Sequence, residues 1–486
     1  MIQTTLNQLD AWTGTAPLEL EFEPAQCHVT LLGRLNPDGS VRLPALLHFP
    51  DHGTLRITGT GALGYDASRL GKPFVRVTFP PGNNVRWEQV CLHPAVPGIE
   101  GDRRFDGFRR NWLNIFQINP KLRVLANHAA SDNCAFTLYK YADIARHTPA
   151  LAEGLTALDL IRESVDRYLG GLLGYGLPEF VMFEYGGEPS KDPPSTDSYP
   201  SLVIAACVAG EDDPAWFERN YAGICRWADT ISLQYGHSGN SGSYAKLGKA
   251  HPANWWDCIG FGHDDAYGQA LAYRAWRSLA ALAKPADAHR YQAAADKLRA
   301  AYFDNFYNPA TGILAGWRSA DGELHDYWFV WLNSLAIHLG LVPRDKTDAI
   351  MDRILAKLRD VGYTRFDLGL PGNLVVVPQT DYSTTDARWG GAGAFQVYEN
   401  GGASACYVYY TLAALYDLGR REEADRILFP MLETFARGGF AGVSANGMTN
   451  DWKTWDGTPW GYEGFLVDNY YTLLAVLRRA GLTAAL

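Results

Sequence analysis

The amino-acid sequence predicts a mainly α protein in which an α/α barrel follows an N-terminal antiparallel β-domain. Three observations lead to this fold class. Short β-branched or alternating runs, separated by turn residues, occupy the first hundred residues. Segments with helical periodicity fill the rest of the chain and tend to come in pairs. Long loops rich in Gly, Trp and Asp connect these helices, and loops of that length are uncommon unless they are functional.

The predicted β-domain covers residues 1–104. Its runs are CHVTLLGRL, SVRLPALLHF, GTLRITGTG and PFVRVTF, and the turn signals NPDG, PDHG and PPGNN interrupt them. Such runs, with turns at this spacing, are typical of an antiparallel sheet or a small sandwich. We therefore expect a β-sandwich-like domain over 1–104 and a helical barrel domain over 105–486.

The helical part alternates two kinds of helix. In ASACYVYYTLAALYDLG apolar side chains surround the helix, as expected where both sides are buried. REEADRILFPMLETFARGG follows after a short turn and carries a polar stripe, which is typical of an outer helix. The periodicity predicts roughly ten to twelve helices after residue 105. Because the pairs show no fixed sequence period, a closed barrel of helical hairpins is favoured over a solenoid.

Charge and motifs exclude several classes of protein. The formal net charge is −10 and no basic cluster stands out, which argues against binding to nucleic acids or anionic membranes. Seven cysteines without a CxxC pair argue against a disulfide framework or a zinc finger. The chain has no HExxH motif, no P-loop and no GxGxxG after a strand, so we expect neither a catalytic metal nor an organic cofactor.

The N-terminus lacks the basic and apolar regions of a signal peptide, and no segment is apolar enough to span a membrane, so we expect a cytoplasmic protein. The aromatic content, 15 Trp, 26 Tyr and 21 Phe, is high. It indicates a large core, or flat platforms that suit the C–H faces of sugar rings, and the two explanations are compatible.

Four segments resemble those of a known enzyme family. They are TDSYPSLVIAACVAG (196–210), WWDCIGFGHDDAYGQALAYRAWRSLAALA (255–283), YENGGASACYVYYTLAALYDLGRREEADRIL (398–428) and NDWKTWDGTPWGYEGFLVDNYYTLLAVL (450–477). Through them the chain resembles the six-hairpin glycosidases, in particular the group of processing α-glucosidase I, mannosylglycerate and glucosylglycerate hydrolases, trehalases and bacterial α-L-rhamnosidases. The resemblance covers residues 200–486. It implies an (α/α)6 barrel, often with an N-terminal β-domain, and usually an anomer-inverting mechanism.

Glycosidic cleavage needs an acid that protonates the leaving oxygen. Asp257 directly follows Trp255 and Trp256, whose indole rings would desolvate the carboxyl group and raise its pKa. The alternative is a loop Asp that caps backbone amides. Asp264 and Asp265 open a strong helix, where an N-cap is the common role of Asp264, whereas Asp265 could face the pocket. The candidates for the acid are therefore Asp257 and Asp265.

The second group is a carboxylate that activates water, about 6.5–9.5 Å from the acid in inverting enzymes. The resemblance places this base at Asp451, although much of the group carries Glu there. Glu463 lies twelve residues further along, beside two glycines, and is the other candidate. Asp456, in WDGT, is interpreted as a turn residue.

Further residues are candidates for contacts with sugar rings and hydroxyl groups. The substrate-binding candidates are Trp255, Trp256, His263, Asp264, Glu399, Trp452, Trp455, Trp460 and Asp197. A simple helix cap is the alternative for Glu399, and an N-cap or Asx turn is the alternative for Asp197. Arg109 and Arg110 could hold an anionic substrate group, or they are surface charges with packed stems.

These expectations combine into an exo-acting, anomer-inverting glycosidase that removes one terminal sugar from a small glycoside or oligosaccharide. Three alternatives stay open. A sugar epimerase on the same barrel would use His263, His325 or His338 as a proton-shuttling pair. A phosphorylase would need a basic phosphate pocket, and a non-catalytic carbohydrate-binding protein would keep only the aromatic platforms. The expected partner is a small carbohydrate.

Overall fold

The structure is a computed structural model that describes residues 18–22, 29–69, 72–79, 85–119, 122–127, 135–172, 196–235, 254–256, 259–319, 321–382, 394–440, 450–460 and 466–483. Within these ranges, no helix has both the length and the apolar character needed to cross a membrane.

Two antiparallel sheets of four strands occupy the N-terminal part. The strands are β1 (Leu18–Phe22), β2 (Thr30–Leu32), β3 (Val41–Arg42), β4 (Ala45–Phe49), β5 (Gly53–Thr58), β6 (Ala62–Arg69), β7 (Lys72–Phe79) and β8 (Arg86–Val90). One sheet has the order β1-β7-β6-β3 and the other has the order β2-β4-β5-β8. The central strand β4 is buried along its whole length, so this sheet packs both of its faces there.

Helices dominate the remaining residues. The described part of the chain contains α1 (Asp106–Asn111), α2 (Leu138–Ala145), α3 (Ala157–Leu169), α4 (Ser198–Asp212), α5 (Pro214–Tyr235), α6 (Ala266–Leu282), α7 (Pro285–Phe306), α8 (Val330–His338), α9 (Arg344–Asp360), α10 (Val408–Asp417), α11 (Arg421–Ala436) and α12 (Leu474–Arg479). A 3-10 helix, Val467–Leu473, leads directly into α12.

The helices alternate between inner and outer positions. Every residue of α2 and α8 is buried, as both sides of these helices are covered by protein. In the outer helix α9, only Thr347, Ile350, Met351, Ile354 and Leu358 are buried, which is one amphipathic stripe. The prediction from helical pairs is confirmed at α10 and α11, which correspond to the apolar and the striped segment.

The inner elements contact one another in chain order, from α2 through α4, α6, α8 and α10 to the 467–479 segment. The 3-10 helix of that segment then contacts α2, the first inner helix. One side-chain group fixes this last contact: Tyr471 Oη donates to Asp143 Oδ2 at 2.7 Å, and Arg274 Nη2 donates to Asp143 Oδ1 at 2.6 Å. The predicted fold class, an (α/α)6 barrel with an N-terminal antiparallel β-domain, is confirmed.

A buried polar network joins the β-sheets to the helices. His48 Nε2 lies 2.6 Å from Asn114 Oδ1, and its Nδ1 lies 2.8 Å from Thr54 Oγ1. Asn114 donates to Asn111, which in turn donates to the carbonyl of Phe435 in α11. Contacts of this kind tie the two parts together, while the domain boundary at 104/105 remains a prediction.

Candidate functional site

The candidate site lies where the inner helices begin. Thr196 precedes α4 and Asp265 precedes α6, and Thr196 Oγ1 donates to Asp265 Oδ2 at 2.6 Å. Tyr407 precedes α10, and its ring lies 5.1 Å from that of Trp255. Three inner helices therefore present their first residues to one another at the same end of the barrel.

Asp265 is fully buried and is the N-cap residue of α6. Its Oδ1 accepts the backbone N–H of Tyr267 at 2.9 Å, and its Oδ2 accepts from Asn254 Nδ2 at 3.1 Å as well as from Thr196. Burial disfavours the charged form and raises the pKa of Asp265 to about 6, although these hydrogen bonds oppose the shift. A carboxyl group with this pKa can carry a proton near neutral pH.

The neighbouring acidic residues are also held by protein groups. Asp264 accepts from Asn305 Nδ2 at 3.1 Å, so the residue that caps α6 is Asp265 and not Asp264. Asp197, also fully buried, accepts the backbone N–H of Trp255 at 2.9 Å. Both side chains thus connect loops to helix starts.

Five aromatic side chains form what we call the aromatic floor: Trp255, Trp256, Trp331, Tyr407 and Trp452. Trp331 stacks on Trp256 and Tyr407, with ring centroids 5.4 and 4.6 Å away. Trp452 lies about equally close to Trp255 and Trp256, at 6.0 and 5.9 Å. None of the five is more than 7% exposed. They pack as one buried cluster.

Four members of the aromatic floor carry a buried hydrogen-bond donor with no partner among the described residues. These donors are the indole N–H groups of Trp256, Trp331 and Trp452 and the hydroxyl group of Tyr407. Buried polar groups are normally paired, so four such donors in one cluster are unusual. A buried water molecule would satisfy some of them.

The same four residues line a small cavity. The space that the centre of a water molecule can occupy within it is about 10 Å³. That space suits about one water molecule and is too small for a sugar ring. Gly372 lines the same cavity, and a Cβ atom there would lie 2.2 Å from Cη2 of Trp256. The absence of a side chain at this position is what allows the indole to take its place.

A buried ion pair lies against the aromatic floor. Lys140 Nζ is 2.7 Å from Asp468 Oδ2, and both side chains are fully buried. Lys140 Nζ also lies 4.2 Å from the ring centroid of Tyr407. Burial lowers the pKa of Lys140, but Asp468 together with Cys406 and Tyr410 raises it overall. Cys406 Sγ donates to Asp468 at 2.9 Å, and burial raises the pKa of this thiol well above its usual range.

Asp451 is fully buried beside the floor residue Trp452. Its Oδ1 accepts the backbone N–H of Leu466 at 3.1 Å and Nδ2 of Asn469 at 3.2 Å. Burial lowers the pKa of the nearby Lys453, and the charge of Asp451 opposes this shift. Asp451 thus holds the start of the last inner segment.

The NGG turn lies next to these residues. Glu399 is buried, and Asn400 Oδ1 accepts the backbone N–H of Val377 at 2.9 Å. A Cβ atom at Gly402 would lie 2.2 Å from the carbonyl oxygen of Tyr398, so the tight turn requires glycine. Trp455 Nε1 donates to the carbonyl of Gly401 at 2.5 Å. Trp460 is partly buried, with its ring 5.9 Å from that of Tyr398.

The candidate histidines lie apart. His325 Nδ1 is 2.6 Å from Asp381 Oδ2, and its ring stacks on Trp317 at 4.6 Å. His338 is the last residue of α8, at the end away from the floor, and its Nδ1 lies 2.7 Å from Asp417 Oδ2. His263 is partly exposed and has a positive φ of 63° just before the start of α6. His325 and His338 are therefore separated by the length of α8.

Four other candidates have different outcomes. Arg109 donates to Asp106 Oδ1 at 2.8 Å, and Arg110 donates to the carbonyl of Ala436 at 2.7 Å, so both bind the protein itself. Asp257 and Glu463 lie outside the described residues. They remain predictions.

Sequence reasoning missed several residues of the site. Trp331, Tyr407, Lys140, Asp468 and Asn254 are all buried there. A usable signal existed for Lys140, since a lysine inside the largely apolar segment LYKYADIA needs a buried partner. No local pattern distinguishes Asn254 from an ordinary loop residue.

The chain is similar to several solved structures. A rhamnosidase from Klebsiella oxytoca, with rhamnose bound, matches 96% of this chain and 97% of its own, with a TM-score of 0.51 and 13% identity. An α-L-rhamnosidase from Dictyoglumus thermophilum matches 96% of this chain, with a TM-score of 0.49 and 12% identity; this chain spans 49% of its length. The GH63 mannosylglycerate hydrolase from Thermus thermophilus, in complex with Tris, matches 77% of this chain and 98% of its own, with a TM-score of 0.47 and 12% identity.

No protein-family model matches the sequence, and no curated protein matches it. At 13% identity, the likeness to the Klebsiella enzyme is one of fold. The chain has the (α/α)6-barrel fold of the six-hairpin glycosidase-type enzymes.

Proposed function

We propose that the protein is a glycoside hydrolase that removes a terminal sugar from a small glycoside or oligosaccharide, with inversion at the anomeric carbon. The aromatic floor is the observation that supports this best. Its rings are of the kind that pack against the faces of sugar rings, Asp451 directly precedes the floor residue Trp452, and Asn254 links the backbone of Trp256 to Asp265. A sugar would rest above the floor, because the cavity within it holds only about one water molecule.

The acid is Asp265 or Asp257. The raised pKa of Asp265, about 6, suits a proton donor at neutral pH. Asp265 is also fully buried and accepts hydrogen bonds from three protein groups, which suits a structural role. In that case the acid is Asp257, one residue after Trp256. The base is Asp451 or Glu463 on the same reasoning, since Asp451 also binds two protein donors.

The test is a screen of α- and β-glycosides, rhamnosides first, in which NMR follows the anomer of the released sugar. Release of one sugar with inverted configuration is the expected result. Hydrolysis of no glycoside, with activity on a free sugar or only in the presence of phosphate, would replace the proposal by an epimerase or phosphorylase. Sugar binding without turnover would replace it by a carbohydrate-binding protein.

Leaving-group dependence assigns the acid. We expect the variant of the true acid, Asp257→Asn or Asp265→Asn, to lose activity about 10²–10⁴-fold on an alkyl glycoside. It should lose far less on a dinitrophenyl glycoside, whose leaving group needs no proton. The variant of the true base, Asp451→Asn or Glu463→Gln, should lose activity on both substrates. Equal losses on both substrates for each acid candidate would contradict the assignment.

A sugar epimerase has weaker support. Such an enzyme needs two proton-transferring groups on opposite sides of the substrate. His338 lies at the far end of α8 from the aromatic floor, so it does not form a pair with His325.

A further inference from the structure

Asn254 is a fully buried side chain at the aromatic floor, and both ends of its amide are used. Its Oδ1 accepts the backbone N–H of Trp256 at 2.8 Å, and its Nδ2 donates to Asp265 Oδ2 at 3.1 Å. A backbone N–H can only donate, so the contact with Trp256 identifies Oδ1 and leaves Nδ2, a donor, facing Asp265.

This amide connects two parts of the site that are not adjacent in the chain. On one side is the backbone of Trp256, a floor residue. On the other side is Asp265, which also caps α6 and binds Thr196 before α4. Asn254 therefore sets the distance between the floor and the carboxyl group at the two helix starts.

A second contact holds the same short segment. Asp197 Oδ2 accepts the backbone N–H of Trp255 at 2.9 Å, so the consecutive amides of Trp255 and Trp256 are each held by a side chain. Two successive fixed amides leave the backbone little freedom to rotate between them. The segment 254–256 is thus fixed in direction as well as in position.

We propose that Asn254 is a positioning residue for proton transfer by Asp265. It binds Asp265 directly, and it fixes the backbone at Trp256. The inference rests on the proposed glycosidase function and adds to it a residue that touches neither the sugar nor the scissile bond. A displacement of about 1 Å at a reacting group can cost about 10²-fold in rate.

The first experiment compares Asn254→Ala with the wild-type protein on a hydrolysed glycoside. We expect kcat to fall about 10–100-fold, with KM changed less than about threefold, because positioning acts on the reaction and not on sugar binding. Asn111→Ala is the matched control. Asn111 is equally buried and uses its amide fully, bonding Asp51, Asn114 and Phe435 at the β-sheet junction. This control should lose stability but keep kcat in its folded fraction.

A second variant keeps the proposal testable if the alanine variant does not fold. Asn254→Asp retains the acceptor for the Trp256 amide and places a second carboxyl group against Asp265. Two carboxyl groups at this distance share a proton at low pH. We expect the activity of this variant, relative to wild type, to rise as the pH is lowered. A purely structural role changes only the folded fraction, so it predicts a pH-independent ratio of kcat per folded molecule.

The outcomes separate the two proposals. A wild-type protein that hydrolyses no glycoside overturns the glycosidase function and the positioning role with it. An active wild type, combined with wild-type kcat in Asn254→Ala, overturns the positioning role alone. An equal loss of kcat in Asn111→Ala, or a flat pH ratio in Asn254→Asp, also overturns it.

Discussion

Removal of Lys140 should destabilise the barrel strongly. Its ammonium group pairs with Asp468 at 2.7 Å, and neither side chain is exposed to solvent. In Lys140→Met a side chain of similar length fills the space, but the Asp468 carboxylate loses its cation within a buried environment. Breaking a buried pair in this way costs about 3–5 kcal/mol, because the remaining charge is left without compensation.

The size of this effect can be converted into a shift of melting temperature. The entropy of unfolding is about 2.1 cal/mol/K per residue, or about 1 kcal/mol/K for the 486 residues of this chain. A loss of about 3–5 kcal/mol then lowers Tm by about 3–5 °C. Two-state unfolding is assumed, so coincident transitions by fluorescence and circular dichroism are part of the measurement.

The double variant Lys140→Met/Asp468→Asn provides the decisive comparison. It removes both charges, so we expect its free energy of unfolding to be at least about 2 kcal/mol higher than that of Lys140→Met. Denaturant unfolding of the wild type, both single variants and the double variant gives the coupling energy. Two results would refute the view that Lys140 and Asp468 form a buried, energetically coupled pair. One is a loss of less than about 1 kcal/mol in the free energy of unfolding of Lys140→Met, and the other is strict additivity in the double variant.

Three further predictions concern other parts of the fold. Burial lowers the pKa of His48 to about 4, so the unfolded chain takes up a proton that the folded one does not, and stability should fall by about 3 kcal/mol from pH 6.5 to 4. In thermal unfolding, the stability of His48→Gln should lack this part of its dependence on pH. A pH dependence parallel to that of the wild type would contradict the assignment to His48. Gly372→Ala should lower the free energy of unfolding by about 1–3 kcal/mol, because the added methyl group would clash with Trp256. Denaturant unfolding measures this loss, and an unchanged free energy of unfolding would show that there is free space at this position. Thr156→Ala, which removes the capping box of α3, should cost about 1 kcal/mol with kcat unchanged.

The sequence was sufficient to predict the architecture because periodicity reflects burial. The apolar segment of α10 and the striped segment of α11 differ in the number of sides they bury, and that difference is visible in the order of residues. The four runs predicted from alternation and turn residues correspond to β2, to β3 with β4, to β5 and to β7, whereas β1, β6 and β8 were not predicted. These features are local, so no knowledge of distant contacts was needed.

The chemistry of the site depends on contacts between distant residues, and the sequence predicted less of it. Asp265 was a candidate on account of its place before a helix, but its partners Thr196 and Asn254 belong to other segments. The pairing of Lys140 with Asp468 spans 328 residues, and no spacing rule relates two such positions. A motif therefore indicated where polar residues cluster, while their individual roles required the fold.

The contact between α2 and the last inner segment has a consequence for how the protein is made. Asp143 and Tyr471 are 328 residues apart, so α2 leaves the ribosome long before its neighbour exists. Contacts over such separations form slowly, since a long loop must close before they contribute. Until residues 466–479 are synthesised, the flank of α2 that they cover has no partner. Synthesis of residues 466–479, rather than the folding of any one hairpin, therefore sets the earliest time at which the inner ring can be assembled, and chaperones that shield apolar helices would act in this interval.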